Sequence, residues 1–428
     1  MHRNVYTFAF YLLLPLYFAR LCWKGAYNRE YFFRWSERLG ISKDSPTKNK
    51  PLIWVHAVSV GEVNASMPLL RRLIAEYPNI EILVTTTTPT GSKLLLERLG
   101  GTVKHQYLPV DLPLCIKPFL DHWQPKALIL LETEIWPNLI NLCKQKGIKT
   151  ALVNARLSEK SKSNYLKYNS LIKESVDSLD LILAQYESDR LRFNEISQIK
   201  KIDICGNLKF DQDIPSELNE ISLNIRKDWS INGKVRPTLI ASSTHEGEED
   251  IVLDAFKKIL KVRPESLLIL VPRHLERFER VKGILQESKI PFVSRSMRED
   301  VSKDTKILLG DTIGELNFLY SLADVAFIGG SLIDHGGQNL LEPSAQSLAL
   351  LSGPSLRNFS DISEQLIQNN ALAVVHDAEE LCNHFLLLIE DESACNSIGA
   401  KAYKVFMKNR GALDAILNKL KPLISNII

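Results

Sequence analysis

The sequence predicts an α/β protein made of two doubly wound domains that follow one another along the chain. From Pro51 onward, short apolar runs alternate with amphipathic stretches, and "LIWVHAV", "IEILVTTTT", "ALILLETE", "KTALVNA" and "LDLILAQ" are typical of strands buried on both faces of a parallel sheet. A polar, proline-containing break follows at residues 210–222. The alternation then restarts with "PTLIASS", "SLLILVPR", "KILLGD", "DVAFIGGS", "ALLSGP" and "ALAVVHD". We therefore expect two domains of ordinary size, with the default ligand site in the cleft that they form.

The composition is that of an ordinary globular protein, and its positive charge is concentrated at the N-terminus. Of the 428 residues, 45% are apolar and 24% are charged. The six cysteines are scattered without a CxxC pair, which favours a reducing compartment and argues against a disulfide framework or a zinc site. Residues 1–50 hold nine Lys and Arg against three Asp and Glu, or +6, whereas the whole chain carries only +3. A basic groove for nucleic acid is therefore not indicated.

The N-terminal segment "VYTFAFYLLLPLYFARLCW", residues 5–23, predicts a membrane-associated helix. Its uncharged core is about 15 residues long, short of the roughly 20 that span a bilayer, so both a marginal span and an interfacial helix remain open. Basic residues flank it, and Tyr and Trp cluster at its ends, as they do at membrane interfaces. A signal peptide and a buried core helix are the alternatives. The following stretch, residues 28–40, is expected to extend a basic membrane-facing surface.

In the first predicted domain, unusual residues follow the strands, where doubly wound sheets bind ligands. "SVGE" follows the first strand and places Glu62 near a helix N-terminus, whose dipole favours a carboxylate. "ETE" ends another strand, and Glu132 follows the apolar run "LILL". Taken singly, Glu62 can be a helix-end carboxylate and Glu132 a carboxylate that ties down loop amides. A catalytic role is the alternative for both.

The second predicted domain offers groups suited to a phosphate and a ribose. "LVPRH" places Arg273 and His274 at a strand end, where an arginine can bind phosphate in bidentate fashion. "GDTIGEL" follows another strand, and the glycine-rich stretch "GGSLIDHGGQNLLEP" leads into a helix expected to start near Asn339. Glu342 lies one turn further, in position to accept hydrogen bonds from a ribose diol. Neither GxGxxG nor GxxxxGK[ST] is present, so the common dinucleotide and P-loop motifs are excluded.

Ten ordered motifs carry a family resemblance that covers almost the whole chain. They are "HAVSVGE", "TTTTPTG", "YLPVDLP", "ETEIWPN", "NARLSEKS", "GNLKFD", "STHEGEE", "VPRHLERF", "GDTIGELNFLY" and "GGSLIDHGGQN". In this order they resemble the 3-deoxy-D-manno-octulosonic acid (Kdo) transferases of lipopolysaccharide assembly. The resemblance implies the GT-B architecture of two Rossmann-like domains that face a cleft. It also implies inverting transfer of Kdo from CMP-Kdo to the lipid A precursor lipid IVA, at the cytoplasmic face of a Gram-negative inner membrane rich in anionic lipids.

The resemblance also implies roles for individual residues. Glu62 matches the family's general base, and Glu132 and Lys209 match residues that stabilise the transition state. The positions that match CMP binding are Pro272, Arg273, His274, Thr312, Ile313, Gly314, Glu315, Leu316, Asn339, Leu340, Leu341 and Glu342. Two positions depart from the family pattern: Gln338 stands where many relatives have His, and Leu340 stands where many have Pro. No metal or other cofactor is expected, because Arg273 and helix N-termini can stabilise the leaving group electrostatically.

The expected domains are an anchor helix at residues 1–24, an acceptor-binding domain at 25–212 and a CMP-Kdo-binding domain at 213–428. It stays open whether the last helix packs back on the first domain, how many Kdo residues are added and which oligomeric state forms. A nucleotide-sugar epimerase or hydrolase is one rival function, against which the apolar N-terminus speaks. A non-catalytic membrane-bound nucleotide sensor is another, against which the joint presence of Glu62, Glu132 and Lys209 speaks.

Overall fold

The computed structural model of the chain describes residues 2–197, 202–211, 217–425 and 427. By their internal contacts the residues form two compact units, Met1–Gln212 with Asn409–Ile428, and Asp213–Lys408. The domain boundary expected between residues 212 and 213 lies outside the described residues. The predicted α/β class is confirmed, since each unit is built on a parallel sheet with helices.

The first unit contains a parallel sheet that positions the candidate catalytic residues. Its described strands are β1 (Leu52–His56), β2 (Glu81–Thr86), β3 (Lys104–Tyr107), β4 (Ala127–Leu131), β5 (Lys149–Ala155), β6 (Leu181–Ala184) and β7 (Ile202–Ile204). Their order is β3-β2-β1-β4-β5-β6-β7. Strands β1, β2 and β4 are buried along their whole length, as strands covered on both faces should be. The direction of winding reverses between β1 and β4, so the loops after these strands border the crevice where such sheets bind ligands.

The helices of the first unit cover both faces of this sheet. Those that precede the second unit in the chain are α1 (Arg3–Tyr27), α2 (Trp35–Arg38), α3 (Val60–Glu76), α4 (Pro89–Leu99), α5 (Pro113–Trp123), α6 (Pro137–Gln145), α7 (Glu159–Lys167), α8 (Asn169–Val176) and α9 (Glu187–Ile196). Val55 and Val84 pack on the face covered by α3, whereas Trp54 and Leu83 pack on the face covered by α5 and α6. Each fully buried side chain of this kind stabilises the unit by about 1.5–3 kcal/mol.

Helix α1 lies against the first unit along most of its length. Near its start the Tyr6 hydroxyl donates a hydrogen bond to Asp111 Oδ2 (2.9 Å), and near its end Leu21 and Gly25 are buried. Among the described residues it is the one helix long and apolar enough to cross a membrane. The opposite face of α1 exposes large apolar side chains, namely those of Val5, Phe8, Leu12, Leu16, Trp23 and Tyr27. At a helical period of 100° per residue these positions share one face, so α1 presents an apolar stripe away from the protein.

The second unit repeats the plan with its own sheet. Its described strands are β8 (Thr238–Thr244), β9 (Leu267–Pro272), β10 (Phe292–Ser294), β11 (Ile307–Leu309), β12 (Val325–Ile328), β13 (Ala349–Ser352) and β14 (Leu372–Val374). Their order is β10-β11-β9-β8-β12-β13-β14, with every pair parallel. The helices are α10 (Glu217–Asp228), α11 (Glu248–Val262), α12 (Phe278–Ser288), α13 (Leu316–Ser321), α14 (Leu341–Ala345), α15 (Ser360–Gln368), α16 (Ala378–Glu390) and α17 (Glu392–Lys408). Here the winding reverses between β8 and β12.

The last helix, α18 (Ala412–Ser425), belongs to the first unit. Ile416, Leu420 and Ile424 are fully buried in the core beside α3. The helix begins under the carboxylate of Asp211, which accepts hydrogen bonds from the backbone N–H groups of Gly411 (2.8 Å) and Leu413 (2.7 Å). A carboxylate that pairs with these free N–H groups stabilises a helix N-terminus.

Candidate active-site residues

Glu62 lies on the first turn of α3, directly after the loop that follows β1. Its Oε2 accepts a hydrogen bond from the backbone N–H of Val58 (2.7 Å), and its Oε1 accepts a longer one from Ser59 Oγ (3.4 Å). Burial raises the pKa of Glu62 to about 8, and repulsion from Glu134 and Glu132 acts in the same direction, whereas the Val58 N–H opposes it. Glu62 therefore takes up a proton near neutral pH, although the dipole of α3 alone favours an ionised carboxylate.

Glu132 and Lys209 form an ion pair, with Lys209 Nζ 3.1 Å from Glu132 Oε1. Glu132 follows β4 directly and has a left-handed backbone, with φ of 57°. A non-glycine residue in this region costs on the order of 1–3 kcal/mol, and such residues cluster at functional sites. With this backbone conformation the Glu132 carboxylate lies beside the turn Leu208–Asp211, which carries Lys209. Sequence reasoning placed Glu132 at a strand end, and the structure brings it to Lys209.

The turn that carries Lys209 is fixed from two sides. On one side Asn154, at the end of β5, accepts a hydrogen bond from the backbone N–H of Leu208 through its Oδ1 (3.0 Å). Asn154 also has a left-handed backbone, with φ of 55°. On the other side Asp211 holds the start of α18, as described above. The position of the Lys209 ammonium group thus depends on β5 and on a helix from the far end of the chain.

Glu134 and His56 also belong to this group, and sequence reasoning assigned neither of them a role. Glu134 Oε2 accepts a hydrogen bond from Trp136 Nε1 (2.7 Å) and lies 3.6 Å from His56 Nε2. His56 ends β1, is fully buried, and its Nδ1 lies 2.9 Å from Thr85 Oγ1. The second glutamate of the "ETE" motif was the available sequence signal for Glu134. No spacing rule connects His56 to that motif, because they meet only through the pairing of β1 with β4.

In the second unit the structure brings together Arg273, Asn339 and Glu342. Arg273 follows β9, and its backbone N–H donates to the carbonyl of Thr244 (3.0 Å). Asn339 Nδ2 donates to Glu342 Oε1 (3.1 Å). Burial raises the pKa of Glu342, while the Asn339 hydrogen bond and the positive charge of Arg273 oppose that shift. A guanidinium beside an amide and a partly buried carboxyl is a polar set suited to a phosphorylated nucleoside.

The turn before α13 forms a second, separately held group. Thr312 Oγ1 donates to Glu315 Oε2 (2.6 Å), and Arg295 binds both carboxylate oxygens of Glu315 (3.1 and 2.9 Å). The Arg295 hydrogen bond, aided by that of Thr312, lowers the pKa of Glu315. Gly314 has φ of 82°, which a residue with a side chain rarely adopts, and the neighbouring Ile313 is 71% exposed. Leu316 begins α13.

The remaining predicted nucleotide positions have structural surroundings of their own. Pro272 ends β9, and Leu340 is fully buried. The backbone N–H of Leu341 donates to Asn339 Oδ1 (3.0 Å). The helix expected to start near Asn339 is α14, which begins two residues later at Leu341, because the Asn339 turn precedes it. The ring of His274 lies 5.4 Å from that of His245 between centroids.

Glu248 is a residue that sequence reasoning quoted within "STHEGEE" without giving it a role. Its buried carboxylate accepts hydrogen bonds from the backbone N–H groups of Gly330 (2.6 Å), Ser331 (2.9 Å) and Leu332 (3.0 Å) in the glycine-rich loop. It also accepts one from the N–H of His245 (3.0 Å). Charge-assisted bonds of this kind are about twice as strong as neutral ones, so Glu248 fixes the start of the loop.

Gln338, which stands where many relatives have His, contacts His245 within the second unit. Its Nε2 lies 2.9 Å from His245 Nε2, so an uncharged ring at His245 can accept from the amide. Burial lowers the pKa of His245 to about 4, assisted by the nearby positive groups, which keeps that ring neutral. Across residues 2–197, 202–211, 217–425 and 427, no group of three or more His, Cys, Asp or Glu is arranged to hold a metal ion.

Comparison with known proteins gives matches over most of the chain. The family model described as "3-Deoxy-D-manno-octulosonic-acid transferase (kdotransferase)" matches residues 33–212. A 3-deoxy-D-manno-octulosonic acid transferase of Haemophilus influenzae is 37% identical over 426 residues, covering 99% of each chain. The enzyme of that name from Bordetella pertussis is 31% identical over 435 residues, covering 98% of this chain and 99% of its own.

Solved structures with the same fold are more distant in sequence. A glycosyltransferase from Rickettsia africae has a TM-score of 0.56 at 16% identity, covering 89% of this chain and 99% of its own. A UDP-GlcNAc 2-epimerase from Neisseria meningitidis has a TM-score of 0.58 at 14% identity, covering 87% of this chain and 100% of its own. At these identities the likeness establishes the GT-B-like two-domain fold and does not bear on substrate.

Proposed function

Because the chain belongs to the 3-deoxy-D-manno-octulosonic acid transferase family, we propose that it transfers Kdo from CMP-Kdo to lipid IVA with inversion of the anomeric centre. Membership makes the protein a glycosyltransferase of lipopolysaccharide biosynthesis. The proposal adds the donor, the acceptor and the residues that act. In the reaction an acceptor oxygen bonds to the anomeric carbon of Kdo, its proton passes to a base, and CMP departs with the electron pair of the broken bond.

The observation that carries the proposal is the environment of Glu62. A general base works best when its pKa is close to the pH at which it acts. Burial and the charges of Glu134 and Glu132 raise the pKa of Glu62 to about 8, well above that of an ordinary glutamate. A carboxylate in the crevice at the carboxyl end of a sheet, with its pKa raised by burial and by charged neighbours, is typical of a catalytic group. Glu62 is therefore the proposed base for the acceptor hydroxyl.

Lys209 and Glu132 are proposed to stabilise the transition state. Kdo carries a carboxylate and CMP carries a phosphate, so negative charge accumulates as the bond to CMP breaks. The Lys209 ammonium group supplies a compensating positive charge, and its ion pair with Glu132 orients it before the donor binds. A preoriented charge does not have to reorganise during the reaction, and this increases its catalytic value.

The proposed CMP-binding residues are those described in the second unit. Arg273 would contact the phosphate as a bidentate donor, and Glu342 with Asn339 would accept and donate to the ribose hydroxyls. The turn formed by Thr312, Ile313, Gly314, Glu315 and Leu316 presents backbone groups beside an exposed apolar side chain. Pro272, His274, Leu340 and Leu341 shape the surroundings of these contacts.

The protein is proposed to attach to the cytoplasmic face of the inner membrane through α1 lying in the membrane plane. In-plane attachment is favoured over a membrane span because the Tyr6–Asp111 hydrogen bond and the burial of Leu21 and Gly25 engage the helix near both ends. The exposed apolar stripe defined above then inserts into the interface. Arg20 and Lys24 near its C-terminal end would meet anionic lipids.

The experiment incubates the purified full-length protein with CMP-Kdo and lipid IVA, and mass spectrometry of the lipid products follows. We expect lipid IVA to gain one or more Kdo residues, and the mass difference counts them. Release of free Kdo without a heavier lipid would indicate a hydrolase instead. Absence of both products, with CMP still bound, would favour a nucleotide sensor.

A further inference from the structure

Residues 28–40 form only part of the basic surface that their sequence suggested, because Arg29 and Phe33 are exposed but Arg38 is not. Arg38, in α2, is only 2% exposed. Its guanidinium lies 4.2 Å from the centre of the Tyr107 ring, a cation–π distance. A buried arginine is costly unless its contacts are well arranged, so this position calls for a physical explanation.

Arg38 joins α1 to a loop at the carboxyl end of the sheet. Its Nη1 donates to the hydroxyl of Tyr17, on the docked face of α1 (3.2 Å), and its Nη2 donates to the backbone carbonyl of Thr87 (2.9 Å). The carbonyl of Arg38 also accepts a hydrogen bond from the N–H of Val110 (2.8 Å), in the loop after β3. One buried residue therefore ties the membrane-facing helix to two strand-end loops.

From Thr87 the hydrogen bonds continue to Glu62. The backbone N–H and the hydroxyl of Thr87 both donate to the carbonyl of Val58 (3.1 and 3.2 Å). The N–H of Val58 in turn donates to Glu62 Oε2 (2.7 Å). Val58 is thus held by Thr87 at its carbonyl, and its N–H, in the preceding peptide group, binds the carboxylate of Glu62.

We propose that Arg38 is a positioning residue for Glu62, through which the docking of α1 by Tyr17 helps to set the geometry of the base. The inference rests on the proposed function, since it takes Glu62 as the base. It gives α1 a part in catalysis beyond attachment: the helix that contacts the membrane also supports the loop that orients the reactive carboxylate. Arg38 itself does not touch substrate in this proposal.

The expected signature is a shift of the pH–rate profile. The hydrogen bond from the Val58 N–H favours the ionised form of Glu62. If Val58 moves and this hydrogen bond weakens, the pKa of Glu62 therefore rises further. The other charged or titratable groups that face Glu62 are Glu132, paired with Lys209, and Glu134, beside His56. None of these groups is altered by a change at Arg38 or Tyr17.

The test compares Tyr17→Phe, Arg38→Met and the control Tyr11→Phe in the full-length protein. Tyr11 lies on the same helix and is 40% exposed. Its replacement by Phe also removes one tyrosine hydroxyl, but on a side of α1 that faces away from Arg38. Kdo transfer to lipid IVA in phospholipid vesicles is measured from pH 6 to pH 10, together with the share of protein that sediments with the vesicles.

For Tyr17→Phe we expect kcat to fall about three- to tenfold, the scale of one ordinary intramolecular hydrogen bond. The acidic limb should move up by about half a pH unit, with KM for CMP-Kdo and vesicle binding unchanged. Arg38→Met should exceed this effect, and Tyr11→Phe should match wild type. If Tyr17→Phe keeps the wild-type kcat and acidic limb, the inference is overturned, whatever Arg38→Met does to folding. Failure of the base assignment would appear separately, as normal turnover in Glu62→Gln.

Discussion

Replacing Glu62 by Gln tests the proposed base with the least change in shape. Gln keeps a side-chain oxygen to accept from the Val58 N–H but cannot take the proton of the acceptor hydroxyl. General-base catalysis contributes about 10²–10⁴-fold to rate. We therefore expect kcat at the optimal pH to fall at least about 100-fold. Binding of CMP should not change, because the proposed nucleotide residues belong to the second unit.

The raised pKa of Glu62 also predicts how strongly the transfer rate depends on pH. With a pKa of about 8, Glu62 is ionised in roughly one molecule in eleven at pH 7 and in most molecules at pH 9. The wild-type rate should therefore rise about tenfold between these pH values and level off above them. The residual rate of Glu62→Gln should lack this rise, since the titrating group is gone.

The assay measures initial rates of Kdo transfer to lipid IVA by mass spectrometry, with CMP affinity measured separately by calorimetry. Glu76→Gln is the matched control, because Glu76 lies on the same helix, is exposed and pairs with Arg72 at the surface. Turnover of Glu62→Gln within about threefold of wild type would refute the base assignment. A large loss that retained the rise with pH would show that another group is the base.

Stability gives an independent check on the raised pKa. The native protein binds a proton at Glu62 between pH of about 4.5 and 8, where the unfolded chain has released it, so wild-type stability falls as pH rises through this window. Gln carries no charge and avoids that loss. Thermal denaturation should therefore show Glu62→Gln gaining stability over wild type at pH 9 but not at pH 4. Equal differences at both pH values would contradict the raised pKa.

Three further predictions follow from the geometry. Lys209→Met should lower kcat by about 10²–10³-fold, as loss of an electrostatic stabiliser does, while lipid IVA binding in a vesicle assay stays unchanged; a fall confined to KM would contradict this role. Glu248→Gln places a donor N–H₂ group opposite backbone N–H groups that need an acceptor, so it should raise KM for CMP-Kdo more than it lowers kcat. An unchanged KM would show that the glycine-rich loop does not depend on Glu248. Leu12→Asp with Leu16→Asp should move the protein from the membrane to the soluble fraction, whereas an unchanged distribution would point to other membrane contacts.

Much of the fold could be predicted because its strands are buried on both faces. "LIWVH" and "ALILL" are continuous apolar runs between amphipathic stretches, and this local pattern suffices to indicate a parallel sheet covered by helices. The same reasoning placed Glu132 at a strand end and Glu62 near the start of the helix that follows the first strand, since both positions are local properties. The helix predicted near Asn339 begins two residues later, at Leu341, because the Asn339 side chain forms a turn with Leu341 that no periodicity reveals.

The neighbours that give the site its chemistry could not be predicted in this way. The ion pair of Glu132 with Lys209 joins residues far apart in the chain, and only the family resemblance had grouped them. Glu134 raises the pKa of Glu62 by electrostatic repulsion through space. His56 lies beside Glu134 because the strands that carry them pair with each other. Within the basic stretch expected to face the membrane, Arg38 is buried, because its hydrogen-bond partners come from α1 and from the loop after β2.

The sequence by itself determined the α/β class, the location of the acidic residues in the segments that follow strands, and the apolar character of the N-terminal helix. These properties follow from local patterns of hydrophobicity, which act over a few residues. Only the tertiary structure decided which carboxylates are close enough to raise the pKa of Glu62, what orients Lys209 and which face of α1 is exposed. Such properties depend on burial and on distances between groups brought together by the winding of the sheet, and electrostatic interactions change steeply with both.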